Sequence, residues 1–171
     1  DATVLCILGN TLTLLDHLPG AEALIRKALS ADGSAAWAWS RSGWLDVYHG
    51  DPASAVERFR IALDLAPQDA LAFNSMVGIG CAHFMAGNYL DAARWQQRAL
   101  VEHPSALWVH RTMCPAHVLA GAKAEAARSL TALRSGYPEL TMSEVRRGVP
   151  PLPDTTLDLI FEALSDAGLP A

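Results

Sequence analysis

The sequence predicts an all-α solenoid of paired helices closed by a helical tail. Three observations carry that expectation. The hydrophobic share is 51% and consists mostly of Ala and Leu, both strong helix formers. No stretch alternates apolar and polar residues strictly enough to claim a strand. Most tellingly, small residues, large residues and prolines recur at fixed offsets along most of the chain.

The clearest unit is AWAWSRSGWLDVYHGDPASAVERFRIALDLAP. Counted from Ala36, it has Trp39 at position 4, Gly43 at 8, Gly50 at 15, Ala55 at 20, Phe59 at 24, Ala62 at 27 and Pro67 at 32. A unit from Phe73 carries Gly80, Gly87, Ala92, Gln96, Ala99 and Pro104 at positions 8, 15, 20, 24, 27 and 32. One from Leu107 carries Cys114, Gly121, Ala126, Leu130, Leu133 and Pro138. A looser unit from Ala2 has Gly9, Asp16, Ala21, Ile25, Ala28 and Gly33, without the closing proline. Four units result, about 2–35, 36–69, 73–106 and 107–140, with roughly one helical turn inserted after Pro67.

Each unit reads as two helices joined at position 15, where Gly50 and Gly87 suit a left-handed cap. Asp51 is placed to cap the following helix, with Pro52 in its first turn where a missing N–H costs little. Small residues at positions 8 and 20 let the paired helices approach closely, and Pro67, Pro104 and Pro138 stop the second helices. One helix pair cannot bury its own apolar face, so successive pairs stack into a superhelix with a concave side. The first unit, without its proline, is expected to fray or to lean on chain upstream.

These residues resemble the tetratricopeptide repeat, whose signature has a large residue at 4, small ones at 8, 20 and 27, a large one near 24 and Pro at 32. The resemblance covers roughly residues 2–140 and implies a right-handed superhelix that binds proteins. Position 11, usually aromatic in that family, departs from the pattern, with Leu12, Asp46, His83 and His117.

Residues 141–171 form a tail outside the period. Thr141 and Glu144 stand at capping-box spacing before a short helix expected to end near Gly148. VPPLP is a stiff linker. Leu157, Ile160, Phe161 and Leu164 then trace one apolar helical face, closed by Gly168. The simplest role for this helix is to cap the last repeat; the sharper alternative has it fill a groove, its own or a second copy's. The run from YPELTMSEVRR to AGLP also resembles the C-terminal region of multidomain bacterial proteins that carry a class III adenylate/guanylate cyclase or winged-helix domain. That resemblance implies a regulatory segment and brings no catalytic residue with it. A chain starting at Asp1 rather than Met is expected to be a piece of something longer.

Several function classes are disfavoured. The formal charge is −5, and the only basic cluster is Arg146-Arg147, read as a solvated helix end, so nucleic acid is not expected. No apolar run is long enough for a membrane span. Three widely spaced cysteines, Cys6, Cys81 and Cys114, make a poor disulfide framework and suit a reducing cytoplasm. His110, Cys114 and His117 share a helix face at i, i+4 and i+7, a ligand spacing for zinc, but they occupy inward positions 4, 8 and 11, where packing is the stronger explanation. Neither a phosphate-binding loop nor a nucleophile elbow is present. No catalytic residue, cofactor or metal is expected.

In the tetratricopeptide resemblance, positions 2, 5, 9, 12 and 13 of each first helix face the ligand. Those positions are largely aromatic and apolar here, and the expected partner-binding residues are Trp37, Trp44, Tyr48, Asn74, Phe84, Met85, Trp108 and Arg111. Trp95 lies on a second helix and is expected on the convex side. The family's grip on a C-terminal carboxylate needs Lys residues absent from these positions. The expected function is a non-catalytic interaction module that takes a helix or apolar segment into its concave groove. The alternatives are a dimerisation device with its groove closed by its own last helix, and the regulatory half of a nucleotide cyclase.

Overall fold

The computed structural model describes residues 1–15 and 17–171. Those residues are all-helical, without a strand. Asp16, expected in the turn of the first unit, lies outside them. Helices α1 (Ala2–Leu14) and α2 (Leu18–Ala31) form the first pair. They are followed by α3 (Ala36–His49) with α4 (Pro52–Leu65), and α5 (Ala72–Met85) with α6 (Tyr89–Glu102). A single 3₁₀ turn, Leu107–Val109, leads into α7 (His110–Leu119), which pairs with α8 (Lys123–Gly136). The tail supplies α9 (Met142–Arg147) and α10 (Asp154–Asp166).

The local chemistry explains the boundaries. Gly50 and Gly87 adopt φ of +79° and +77°, a conformation that turns the chain between paired helices and penalises any Cβ. Asp51 accepts a hydrogen bond from the Ser54 amide at 3.1 Å, which satisfies one orphan donor of α4, and Pro52 follows it. The residues inserted after Pro67 form a turn in which Asp69 accepts from the Leu71 amide at 2.6 Å before α5 begins. α1 is formed despite its position at the end, with Asp1 accepting from the Thr3 amide at 2.8 Å. Val4, Ile7 and Leu8 on its outer face remain about half exposed.

Phe59 is the wedge of the central packing. It is fully buried between the glycines of two successive first helices. A Cβ added at Gly43 would come within 2.9 Å of its ring, and one at Gly78 within 2.1 Å, so both positions must be bare. The departure at position 11 of the second unit has a partner: Asp46 receives the Arg58 Nε at 2.8 Å, tying α3 to α4. Burial pushes the Asp46 carboxyl up in pKa, and Arg58 only partly opposes this.

The tail does more than cap. Thr141 and Glu144 form the capping box as expected, and α9 ends at Gly148. Arg146 and Arg147 are exposed, as expected of a solvated helix end, and the Arg146 guanidinium also lies 4.1 Å from the centre of the Phe161 ring. α10 then packs against α7, and its Ile160, Phe161 and Leu164 join the main core. The linker between α9 and α10 crosses toward α3, so that a Cβ on Gly50 would lie 3.5 Å from Pro153.

Candidate partner-binding groove

The first helices α1, α3, α5 and α7 line one face, and the structure divides the expected residues on it into two groups. In the C-terminal half, Trp44, Val77, Cys81, Trp108 and Arg111 enclose a mostly apolar cavity of about 180 Å³ together with Val149, Leu152 and Ile160 of the tail. Phe84 and Met85 border the same tail residues, Leu152 and Ile160, with Thr156. Phe84 is buried to 2% exposure and meets Tyr89 edge-on at 5.4 Å. The Arg111 guanidinium sits 5.2 Å from the centre of the Tyr137 ring. This half of the groove is therefore covered by the chain's own tail, with an apolar cavity left beneath it.

The N-terminal half is open. A cavity of about 190 Å³ is bordered by Trp37, Ser40 and Arg41 of α3 and Phe73 and Asn74 of α5, and is backed by Ala62 and Ala66 at the end of α4 and the turn at Asp69. Trp44 spans both halves: its ring stacks on Tyr48 at 5.9 Å and meets Phe59 edge-on at 5.5 Å. Its Nε1 donates to Asn74 Oδ1 at 2.7 Å. Burial pushes the Tyr48 hydroxyl up to about 12, so it stays neutral at physiological pH.

Arg41 was not among the expected residues. It donates to Asn10 Oδ1 at 2.7 Å and also to Asn74 Oδ1, bridging α1 to α5 through α3. Among the described residues no carboxylate pairs with it. Burial pulls its guanidinium below the ordinary value, opposed in part by Tyr48 and Cys6. The available signal was compositional, since Arg41 is the only cation in a 14-residue helix of Ala, Trp, Ser and other uncharged residues save Asp46 and His49.

The residues at zinc-like spacing each have their own contact. His110 Nδ1 is 2.7 Å from Ser129 Oγ, and the Cys114 thiol donates to the Ala126 carbonyl at 3.5 Å. Burial, then the neighbouring His117, lowers the His110 pKa, and burial raises that of Cys114 to about 11. Among the described residues no three His, Cys, Asp or Glu side chains gather closely enough to hold a metal. Trp95 is partly buried, with Arg98 4.3 Å above its ring. No described helix is long and apolar enough to cross a membrane.

Solved structures supply a comparison of shape. A chain of the APC/C hetero-tetramer Cut9–Hcn1 superposes with a TM-score of 0.76 at 15% identity, over 95% of this chain and 30% of that one. MamA gives 0.65 at 18% identity, covering 92% of each chain. YrrB, described as a TPR protein with an unusual peptide-binding site, gives 0.63 at 20% identity, covering 98% of this chain and 84% of that one. The fold is tetratricopeptide-like. No protein-family model matches the chain, and no curated protein sequence does either. The chain spans less than a third of the Cut9–Hcn1 chain it matches. Within a tetratricopeptide-like fold, the first helices lining the groove are the concave side of the superhelix.

Proposed function

We propose that this chain is a non-catalytic interaction module that takes a helix or apolar segment of a partner protein into its concave groove. The supporting observation is the tail itself: Leu152, Thr156 and Ile160 already lie against Cys81, Phe84 and Met85, so the surface accepts an apolar segment leading into a helix. Trp37, Trp44, Tyr48, Asn74, Phe84, Met85, Trp108 and Arg111 are the residues assigned to this contact, with Phe84, Met85, Trp108 and Arg111 reached only when the tail moves. YrrB's peptide-binding site is a parallel from the same fold. Three free, buried thiols suit a reducing cytoplasm. A setting within a bacterial cyclase or winged-helix regulator is the finer part of the proposal and rests on the tail resemblance alone.

The test uses the full chain with Leu152→Asp, which loosens the tail, and a labelled synthetic peptide of residues 149–171. Fluorescence anisotropy should show the peptide binding the variant at least ten times more tightly than the wild type. Equal, negligible binding to both would sink the reading.

The exposed face of α1 favours a second reading, self-association. Val4, Leu8 and Thr11 stand at the register of Ala38, Ser42 and Leu45 in α3, all three buried, with Ala38 and Leu45 packed against Ala21, Ile25 and Ala28 of the preceding pair. Leu14 and Leu15 extend the apolar patch at 77% and 70% exposure. Sedimentation should then detect a dimer in the wild type and a monomer in Leu8→Lys.

A further inference from the structure

We propose that Arg41 reads a carboxylate side chain: the open half of the groove selects partner segments that place one Asp or Glu against its guanidinium. The inference deepens the interaction reading above and rests on it.

A guanidinium cannot shed its proton, so removing it from water is costly unless an anion or a full set of acceptors compensates. Arg41 has neither. It has five N–H donors, and its acceptors are two neutral amide oxygens, on Asn10 and Asn74. The Asn74 oxygen is shared with the Trp44 indole N–H. Arg41 Nε is buried and has no acceptor. The two asparagines instead hold the guanidinium in place, and a fixed fork suits bidentate capture of a carboxylate.

The adjoining cavity supplies the room. At about 190 Å³ it exceeds several times the volume of a water molecule, and Trp37 and Phe73 give it apolar walls. Asp69 is the one acidic side chain among its lining residues, and its Oδ1 is engaged by the Leu71 amide. The overall charge of −5 repels acidic tracts. Together these features fit one carboxylate set among apolar residues rather than a run of acids. Arg111, the other arginine of the groove, is screened by the tail and by Tyr137, which leaves Arg41 as the reader.

The probe is a phage library of 12-residue peptides fused through their C-termini, so that no terminal carboxylate is offered, panned on the full chain. Selected peptides should share one Asp or Glu flanked by apolar residues. A synthetic, amidated copy should lose at least tenfold in affinity when that Glu becomes Gln, and the same against Arg41→Gln, with no further loss when both are changed. Asn74→Asp guards against a folding artefact, because it gives Arg41 an internal carboxylate and keeps an acceptor for Trp44. It should raise the thermal midpoint and abolish the acidic preference. Peptides that bind without an acidic position, or that bind Asn74→Asp unchanged, overturn the role of Arg41 and leave the interaction reading standing. A library that yields no binder overturns both.

Discussion

In the C-terminal half of the groove, Cys81, Trp108 and Arg111 face Leu152 and Ile160 of the tail; in the N-terminal half, Trp37, Arg41 and Asn74 border an open cavity. Both halves are built on the first helices of successive repeats, so register decides which residues point inward and says nothing of what covers them. Cover depends on reach. The proline linker carries the tail from α9 past Pro153, beside Gly50, and α10 then returns along α7. The half within that reach is apolar and covered by the chain's own tail, and the half beyond it keeps a cation held by amides.

The largest expected effect removes what the two halves share. Phe59→Ala empties the wedge between Gly43 and Gly78 and should cost about 3–5 kcal/mol, read from chemical denaturation. Both halves should loosen together; if hydrogen exchange speeds up in only one, the spacing of α3 and α5 does not depend on Phe59. Ile160→Ala should cost about 2–4 kcal/mol and act on the covered half alone. Quenching of Trp108 fluorescence by acrylamide should rise while the Arg41 region keeps its exchange protection. A uniform rise across the chain would mean that the two halves do not separate energetically.

The smallest effect is a pH dependence centred on the packing of α7 against α8, away from the groove. His110, facing Ser129 and near His117, has a folded pKa below its ordinary 6.5, because burial disfavours the charged ring. The unfolded chain therefore binds more protons in that window, and stability must fall as pH drops from above 6.5 toward the folded value. Below that value the loss is complete. The thermal midpoint should decline on acidification from pH 7.5 to 5.5, and His110→Gln should flatten part of the decline. An unchanged slope would assign the effect to His117, whose pKa is also lowered by burial.

Much of the fold was legible because its signals are local. A left-handed Gly50, an Asp51 cap and a Thr141–Glu144 box each depend on neighbours a few residues away. The periodic face of α10 announced burial equally well, but an apolar stripe does not name what it packs against, so the choice between cap and groove stayed open until α10 was seen on α7. Arg41 escaped for a related reason. It falls outside the family's ligand-facing positions, and its meaning comes from Asn10 and Asn74, distant in sequence and joined to it only by the stacking of three helices. Gly78 was likewise invisible, since its need for bareness is set by Phe59 on another helix.

The three thiols divide the molecule into reporting zones. Cys6 is shut in the first helix pair, Cys81 under the tail and Cys114 between α7 and α8, each without a disulfide. Burial raises the pKa of all three, that of Cys81 to about 12, so almost none is thiolate while the chain is closed. An alkylating reagent will therefore act as a clock with three hands. The order in which the cysteines are labelled gives the order in which the array opens, and a partner that displaces the tail advances the hand at Cys81 first.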